Sequence, residues 1–328
     1  MNIKDKPSQN PLAITNAFNS YFSSVAEDLL NKNFTGANST NNNNDPLAFI
    51  HRNFSQLQSS VYLKKTTTHE INKIIHSLKS KDFYGYDEIS TRILKIIAPY
   101  ILSPLTYIFN KILSTGVFPD RLKFSEVRPL FKKGDKTEFC NYRPISLLPS
   151  FSKIIEKIIC RRLYNYLNNN NILVDQQHGF RKKLSTKTAI FTLINNVLLS
   201  FKRRNFTGGI FCDLQKAFDC INHAILLHKI KLYGISGTAN KLMESYLENR
   251  YQRVSVYNNK PLKLSSNWVH VKHGVPQGSI LGPLLFPIYI NNLSLSINKL
   301  ANPILFADDT TIIISNANTR NFKTILIQ

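Results

Sequence analysis

Ile304-Leu305-Phe306-Ala307-Asp308-Asp309-Thr310-Thr311-Ile312 sets two adjacent carboxylates inside an otherwise apolar run. Its pattern predicts a hairpin over 304–314 with Asp308 and Asp309 at the tip. Neighbouring ionised carboxylates repel, and beside a core each also loses hydration. A divalent cation would offset both costs, and carboxylate oxygens suit hard Mg²⁺ or Mn²⁺. The plain alternative is a solvated turn, where Asp is common.

A third carboxylate weighs against that alternative. From Lys157 to Gln328 the only acidic residues are Asp175, Asp213, Asp219, Glu244, Glu248, Asp308 and Asp309. Asp213 closes the short apolar strand Gly209-Ile210-Phe211-Cys212, and a helix is expected after it over 215–230. Strand ends are where α/β folds present catalytic groups. Carboxylates from these two places could hold two metal ions ~4 Å apart, activating a 3′-hydroxyl and steadying a leaving pyrophosphate. Taken alone, Asp213 could equally cap the following helix. Asp219 reads as a helix-surface or hydrogen-bonding residue near His223.

Working outward, helices are expected over 14–30, 68–78 (with Thr68 as N-cap), 150–167 and 186–202. The helix over 150–167 has a basic face of Lys153, Lys157, Arg161 and Arg162. A helical pattern over 90–113 is interrupted near Pro99 and Pro104. Phe124 to Lys132 reads as a strand, Arg253–Tyr257 and Trp268–Val271 as a hairpin, and 280–293 as an apolar helix. Asn38 to Asn44 reads as a linker.

Composition points to the partner. Forty-two Lys+Arg against 20 Asp+Glu give a formal net charge of +22, far more than solubility requires. Such an excess favours a polyanion, nucleic acid above all. Cys140, Cys160, Cys212 and Cys220 form no zinc spacing and read as reduced core residues. The N-terminus lacks a signal-peptide core, and the apolar run 280–290 falls short of the ~20 residues a bilayer crossing needs. These features predict an intracellular protein of the nucleus or cytoplasm, with no membrane partner.

Three segments then occur in a telling order: Phe211-Cys212-Asp213-Leu214-Gln215-Lys216-Ala217-Phe218-Asp219, Gly274-Val275-Pro276-Gln277-Gly278-Ser279-Ile280-Leu281-Gly282-Pro283, and Phe306-Ala307-Asp308-Asp309. They resemble the palm motifs of reverse transcriptases of the non-LTR, Jockey- and LINE-like group. Upstream, Arg128 to Asp135 and Asn141 to Pro149 look like the fingers motifs, and Gln177-His178-Gly179-Phe180-Arg181 is similar to the QxGFR-type segment.

The resemblance implies an α+β right-hand polymerase of fingers and palm, its antiparallel palm sheet packed on helices. The expected division is an N-terminal extension over 1–60, fingers over 61–205 and palm over 206–328. The apolar ending Ile325-Leu326-Ile327 is read as truncation before a thumb. The implied activity is RNA-directed DNA polymerisation, a nucleotidyltransferase reaction on an RNA template, a DNA primer and dNTPs. Asp213, Asp308 and Asp309 match the aspartates that hold two Mg²⁺ or Mn²⁺ ions. Phe218 matches the steric gate at the sugar 2′ position, and Gln277 the palm glutamine. Lys132 and Arg143 match the fingers cations over the triphosphate. Gly274 and Gly278 would let backbone approach the nucleotide.

Three departures stand out: Pro287 in the apolar helix, Asn292 where Asp is frequent, and the loose loop Tyr84-Gly85-Tyr86-Asp87. A second reading is an inactive remnant that keeps only a basic nucleic-acid-binding surface.

Overall fold

The structure is a computed structural model that describes residues 1–3, 6–34, 60–80, 84–258, 262–297 and 301–318. The Asn-rich tract and the apolar C-terminal residues lie outside the described residues. Helices are α1 Pro11–Phe34, α2 Thr68–Ser77, α3 Thr91–Thr115, α4 Ser150–Asn169 and α5 Thr186–Lys202, followed by α6 His223–Leu232, α7 Gly237–Leu247, α8 Gly282–Ile290 and α9 Leu293–Ser296. Strands are β1 Asn2–Ile3, β2 Lys6–Pro7, β3 Ser125–Phe131, β4 Tyr142–Leu147 and β5 Phe206–Asp213, then β6 Arg250–Asn258, β7 Leu262–Ser265, β8 Val269–Val271, β9 Ala301–Phe306 and β10 Asp309–Asn316. The chain is a mixed helix and sheet protein. It divides into two compact units, 1–166 with 218–282, and 167–217 with 283–328.

The first unit is built on a five-stranded sheet in the order β4-β3-β6-β7, with β8 paired to the other end of β6. Only β3 and β6 run parallel; the other pairs are antiparallel. Helix α1 lays Phe18 and Phe22 against Val127 and Val254, and Phe18 meets Tyr142 edge-on at 4.9 Å. The hairpin expected between 253–257 and 268–271 is wired differently. Tyr257 pairs with Lys263 in β7, while β8 pairs with 250–252. Strand β6 is long enough to carry two partners in succession.

Helix α2 is capped by Thr67, not Thr68: its Oγ1 accepts from the Glu70 N–H at 3.1 Å. Arg162, on the expected basic face, pairs with Glu70 at 2.6 Å and holds that carboxyl below its usual range. Helix α3 runs unbroken through Pro99 and Pro104. Both prolines are exposed, so the carbonyls they leave without donors, those of Lys95 and Tyr100, lie toward the solvent side. By length and composition α3 could cross a membrane, yet it buries Leu94, Ala98, Leu105, Phe109, Ile112 and Leu113 along one face.

Buried Lys229 on α6 is pushed down to about 8 by burial. The unfolded chain therefore holds that proton more tightly than the folded one. Stability rises with pH from about 8 up to the unfolded lysine value near ~10.4, by on the order of 1 kcal/mol per pH unit. Below that window the full cost remains. Replacement by Met should flatten this slope, which thermal melts of both proteins at the two ends of the window would measure.

The second unit is a three-stranded antiparallel sheet, β5-β10-β9. Helix α5 covers one face through Ala189, Leu193 and Val197 against Ile304 and Ile313. Pro287 sits inside α8, which stays helical around it. The four cysteines are free, but none is buried, and Cys140 and Cys212 are exposed. The core placement expected from sequence fails outright for these two because Cys140 lies in a short turn and Cys212 on the edge strand β5, while Cys160 and Cys220 are half-buried.

Candidate active site

Three of the predicted residues meet on one edge of the second unit. Asp213 ends β5 and Asp309 begins β10, and the two are direct partners across the antiparallel ladder. Asp308 occupies the two-residue turn between β9 and β10, after Ala307. Asp213 and Asp309 are exposed and Asp308 is half-buried. Facing positions in a ladder bring Cβ atoms to about 4.5–5.5 Å, so like charges there destabilise the sheet unless something neutralises them. The three aspartates offer carboxylate oxygens, which fits a hard divalent cation. Among the described residues no three His, Cys, Asp or Glu side chains converge tightly enough to form a finished metal cage.

The turn itself is unusual. Ala307 takes φ +57°, a left-handed conformation that a residue with a Cβ adopts at a cost of about 1–2 kcal/mol. Buried Gln177 spans it, its Oε1 accepting from the Gly179 N–H at 2.7 Å and the Ala307 N–H at 3.0 Å.

The remaining predicted residues belong to the first unit. Lys132 and Arg143 are exposed on the β3–β4 hairpin. Arg143 faces Leu130 across the ladder, and the Lys132 N–H reaches Asn141 O at 2.8 Å. Strand alternation therefore puts both cations on the same face of the hairpin.

Gln277 and Gly278 lie in the loop before α8, which is fastened at several points. Ser146 N–H donates to Gln277 O at 2.8 Å, tying the loop to β4. The Gln277 Nε2 donates to both Asp219 oxygens at 2.9 Å. Val275 N–H donates to Phe218 O at 2.9 Å. Fully buried Glu156 accepts from the N–H groups of Ile280 at 2.7 Å and Leu281 at 3.2 Å. Burial raises the Glu156 pKa, against the pull of Arg250 and these donors. His223, its pKa lowered by burial, contacts Gly274 O through Nε2 at 2.7 Å, which the neutral ring can do as a donor.

Several expectations change here. Residues 215–220 form turns, and the helix starts only at His223 behind the Asn222 cap. Phe218 is half-buried in that turn region, not on a helix. Asp219 does hydrogen-bond, but to Gln277. Gly274 and Gly278 let backbone approach backbone: a Cβ on Gly274 would meet Asp219 O at 2.7 Å, and one on Gly278 would meet Ser146 O at 2.4 Å. Glu156 is masked in the sequence by the cations around it, Lys153, Lys157, Arg161 and Arg162. A lone acid flanked by Ile154, Ile155, Ile158 and Ile159 was the signal available.

With this geometry in place, the comparisons settle the family. The model described as "Reverse transcriptase (RNA-dependent DNA polymerase)" matches residues 131–327. The chain belongs to the reverse transcriptase family, in its non-LTR retrotransposon branch. This reverse transcriptase domain is 34% identical over 244 residues to "Probable RNA-directed DNA polymerase from transposon BS" of Drosophila melanogaster, covering 72% of the chain and 26% of that protein. It is 32% identical over 240 residues to "RNA-directed DNA polymerase from mobile element jockey" of the same species, covering 73% and 26%. A third relative, "Probable RNA-directed DNA polymerase from transposon X-element", is 30% identical over 247 residues, covering 74% and 26%. The chain thus spans about a quarter of the length of the relatives it matches.

Proposed function

We propose that this chain carries the fingers (61–205) and palm (206–328) of an RNA-directed DNA polymerase that adds dNTPs to a primer 3′-hydroxyl on an RNA template. The observation that carries the proposal is the cross-strand pair Asp213–Asp309 with Asp308 in the adjoining turn. Two Mg²⁺ or Mn²⁺ ions are the cofactors the reading requires, with the three aspartates as their holders. When bound, such ions lower the pKa of the attacking hydroxyl and neutralise charge on the leaving pyrophosphate. The relatives' names, which describe RNA-directed DNA polymerases from mobile elements, support the same activity.

Each remaining role follows from what the side chain can do. Lys132 and Arg143 supply positive charge from one hairpin face, and Arg can grip a phosphate through two parallel bonds. Gln277 is oriented by Asp219, which fixes its amide Nε2 and leaves its Oε1 to face the nucleotide or template. Gly278 keeps this loop against β4, whose Arg143 is the triphosphate ligand in this reading. The excess charge of +22 suits an RNA–DNA duplex held through its phosphates.

Primer extension on an RNA template with Mg²⁺ tests the activity directly; no extension by folded protein under any divalent cation would overturn it. Phe218 is the sugar gate in this scheme. Phe218→Val should lower the preference for dNTPs over rNTPs by roughly 10–100-fold, the range a lost apolar steric contact commands. An unchanged preference would make Phe218 a packing residue.

A further inference from the structure

The segment Gln176–Gly179 runs alongside β9. Leu305 N–H donates to Gln176 O at 2.9 Å and His178 N–H donates to Leu305 O at 2.7 Å, a parallel bridge that fixes where Gln177 starts. From there the Gln177 amide reaches the turn ahead of Asp308. Its oxygen takes the two N–H groups of Gly179 and Ala307, both on buried residues. No other residue type suits position 179, because a Cβ there would stand 2.2 Å from the Ala307 nitrogen. The Gln177 Nε2, by contrast, is buried with no hydrogen-bond partner among the described residues.

That asymmetry is informative. A buried amide donor without a partner is costly. An apolar side chain of equal length would avoid the cost, yet it would orphan two backbone N–H groups next to a left-handed alanine. The position is therefore organised around its acceptor. We propose that Gln177 is a positioning residue. Its carbonyl oxygen clasps the Ala307 turn in its left-handed form and so sets the direction in which Asp308 and Asp309 leave it. This inference rests on the aspartates being the metal holders, but the clasp can be read without them.

The experiment compares the full chain with Gln177→Leu and Gln177→Met, which lack the acceptor, and with Gln177→Glu, which keeps an oxygen at the same reach. Two readouts are taken on each: hydrogen exchange of peptides covering 305–309, and Mn²⁺ affinity by electron paramagnetic resonance. The acceptor-less variants should exchange roughly tenfold faster in that peptide alone and bind Mn²⁺ roughly tenfold more weakly, with Gln177→Glu restoring protection. Wild-type exchange in folded Gln177→Leu or Gln177→Met would overturn the clasp. So would loss of folding in both variants while Gln177→Glu stays folded, since that indicates a fold-wide contact. If exchange responds as expected but Asp308→Asn binds Mn²⁺ like the wild type, the clasp stands and the metal assignment fails instead.

Discussion

Asp308→Asn, and separately Asp213→Asn, should bring RNA-templated extension down by at least ~10²–10³-fold, the range seen when one preorganised electrostatic partner of a transition state is removed. Asn keeps the volume and removes the charge, so packing of β5 and β10 is little disturbed. Asp213 is exposed at the end of the ladder, and Asp308 is half-buried in the turn beside it. Asp213 faces Asp309 and Asp308 adjoins it in the chain, so losing either charge should even relieve repulsion in the metal-free protein, and the variants should melt at or slightly above the wild-type temperature. Activity and stability thus move in opposite directions. Extension near the wild-type rate by a folded variant would remove that aspartate from the metal site.

Gly278→Ala should unfold or loosen the first unit rather than merely slow chemistry. At φ +135° an L side chain is strained, and the added Cβ would lie 2.4 Å from the Ser146 carbonyl oxygen. Backbone on both sides must move, and the bond from Ser146 N–H to Gln277 O lies in the path of that movement. We expect a loss of about 3 kcal/mol or more, a drop in melting temperature of roughly 6–12 °C. Gly237→Ala is the internal control. It shares a positive φ of +58° but has nothing within 4 Å of the added Cβ, so it should cost only ~1 kcal/mol. Equal effects at the two positions would show that backbone strain alone, and not the close approach to Ser146, governs Gly278.

Legibility followed the range of the interaction. The hairpin around Asp308 and the strand ending at Asp213 were readable because apolar runs with polar breaks report local burial, although the turn is Ala307–Asp308 and Asp309 already belongs to β10. Helix α5 was readable to the residue, since Ser185 stands at its N-cap and the Thr188 Oγ1 accepts from the Ser185 N–H at 3.0 Å. The expected helix after Asp213 failed at its beginning. Residues 215–220 are helix-compatible by propensity, but their backbone is claimed by the loop at 274–277: Val275 N–H takes Phe218 O and Gly274 N–H takes Ile221 O. Helix α3 failed in the other direction, since its prolines face solvent and their lost bonds go unpunished.

The amino-acid sequence by itself singled out the candidate carboxylates, predicted a polyanionic partner and carried the motifs of the family the chain joins, because charge, composition and ordered motifs are properties of residues one at a time or in short runs. Tertiary structure alone decided that Asp213 faces Asp309, that Gln277 answers to Asp219, that Glu156 secures the loop before α8 and that Gln177 holds the Ala307 turn. Each of these joins residues dozens to more than a hundred positions apart through a hydrogen bond or a ladder register. Such bonds depend on ångström-scale distances that chain spacing does not encode, and only the packed backbone supplies them.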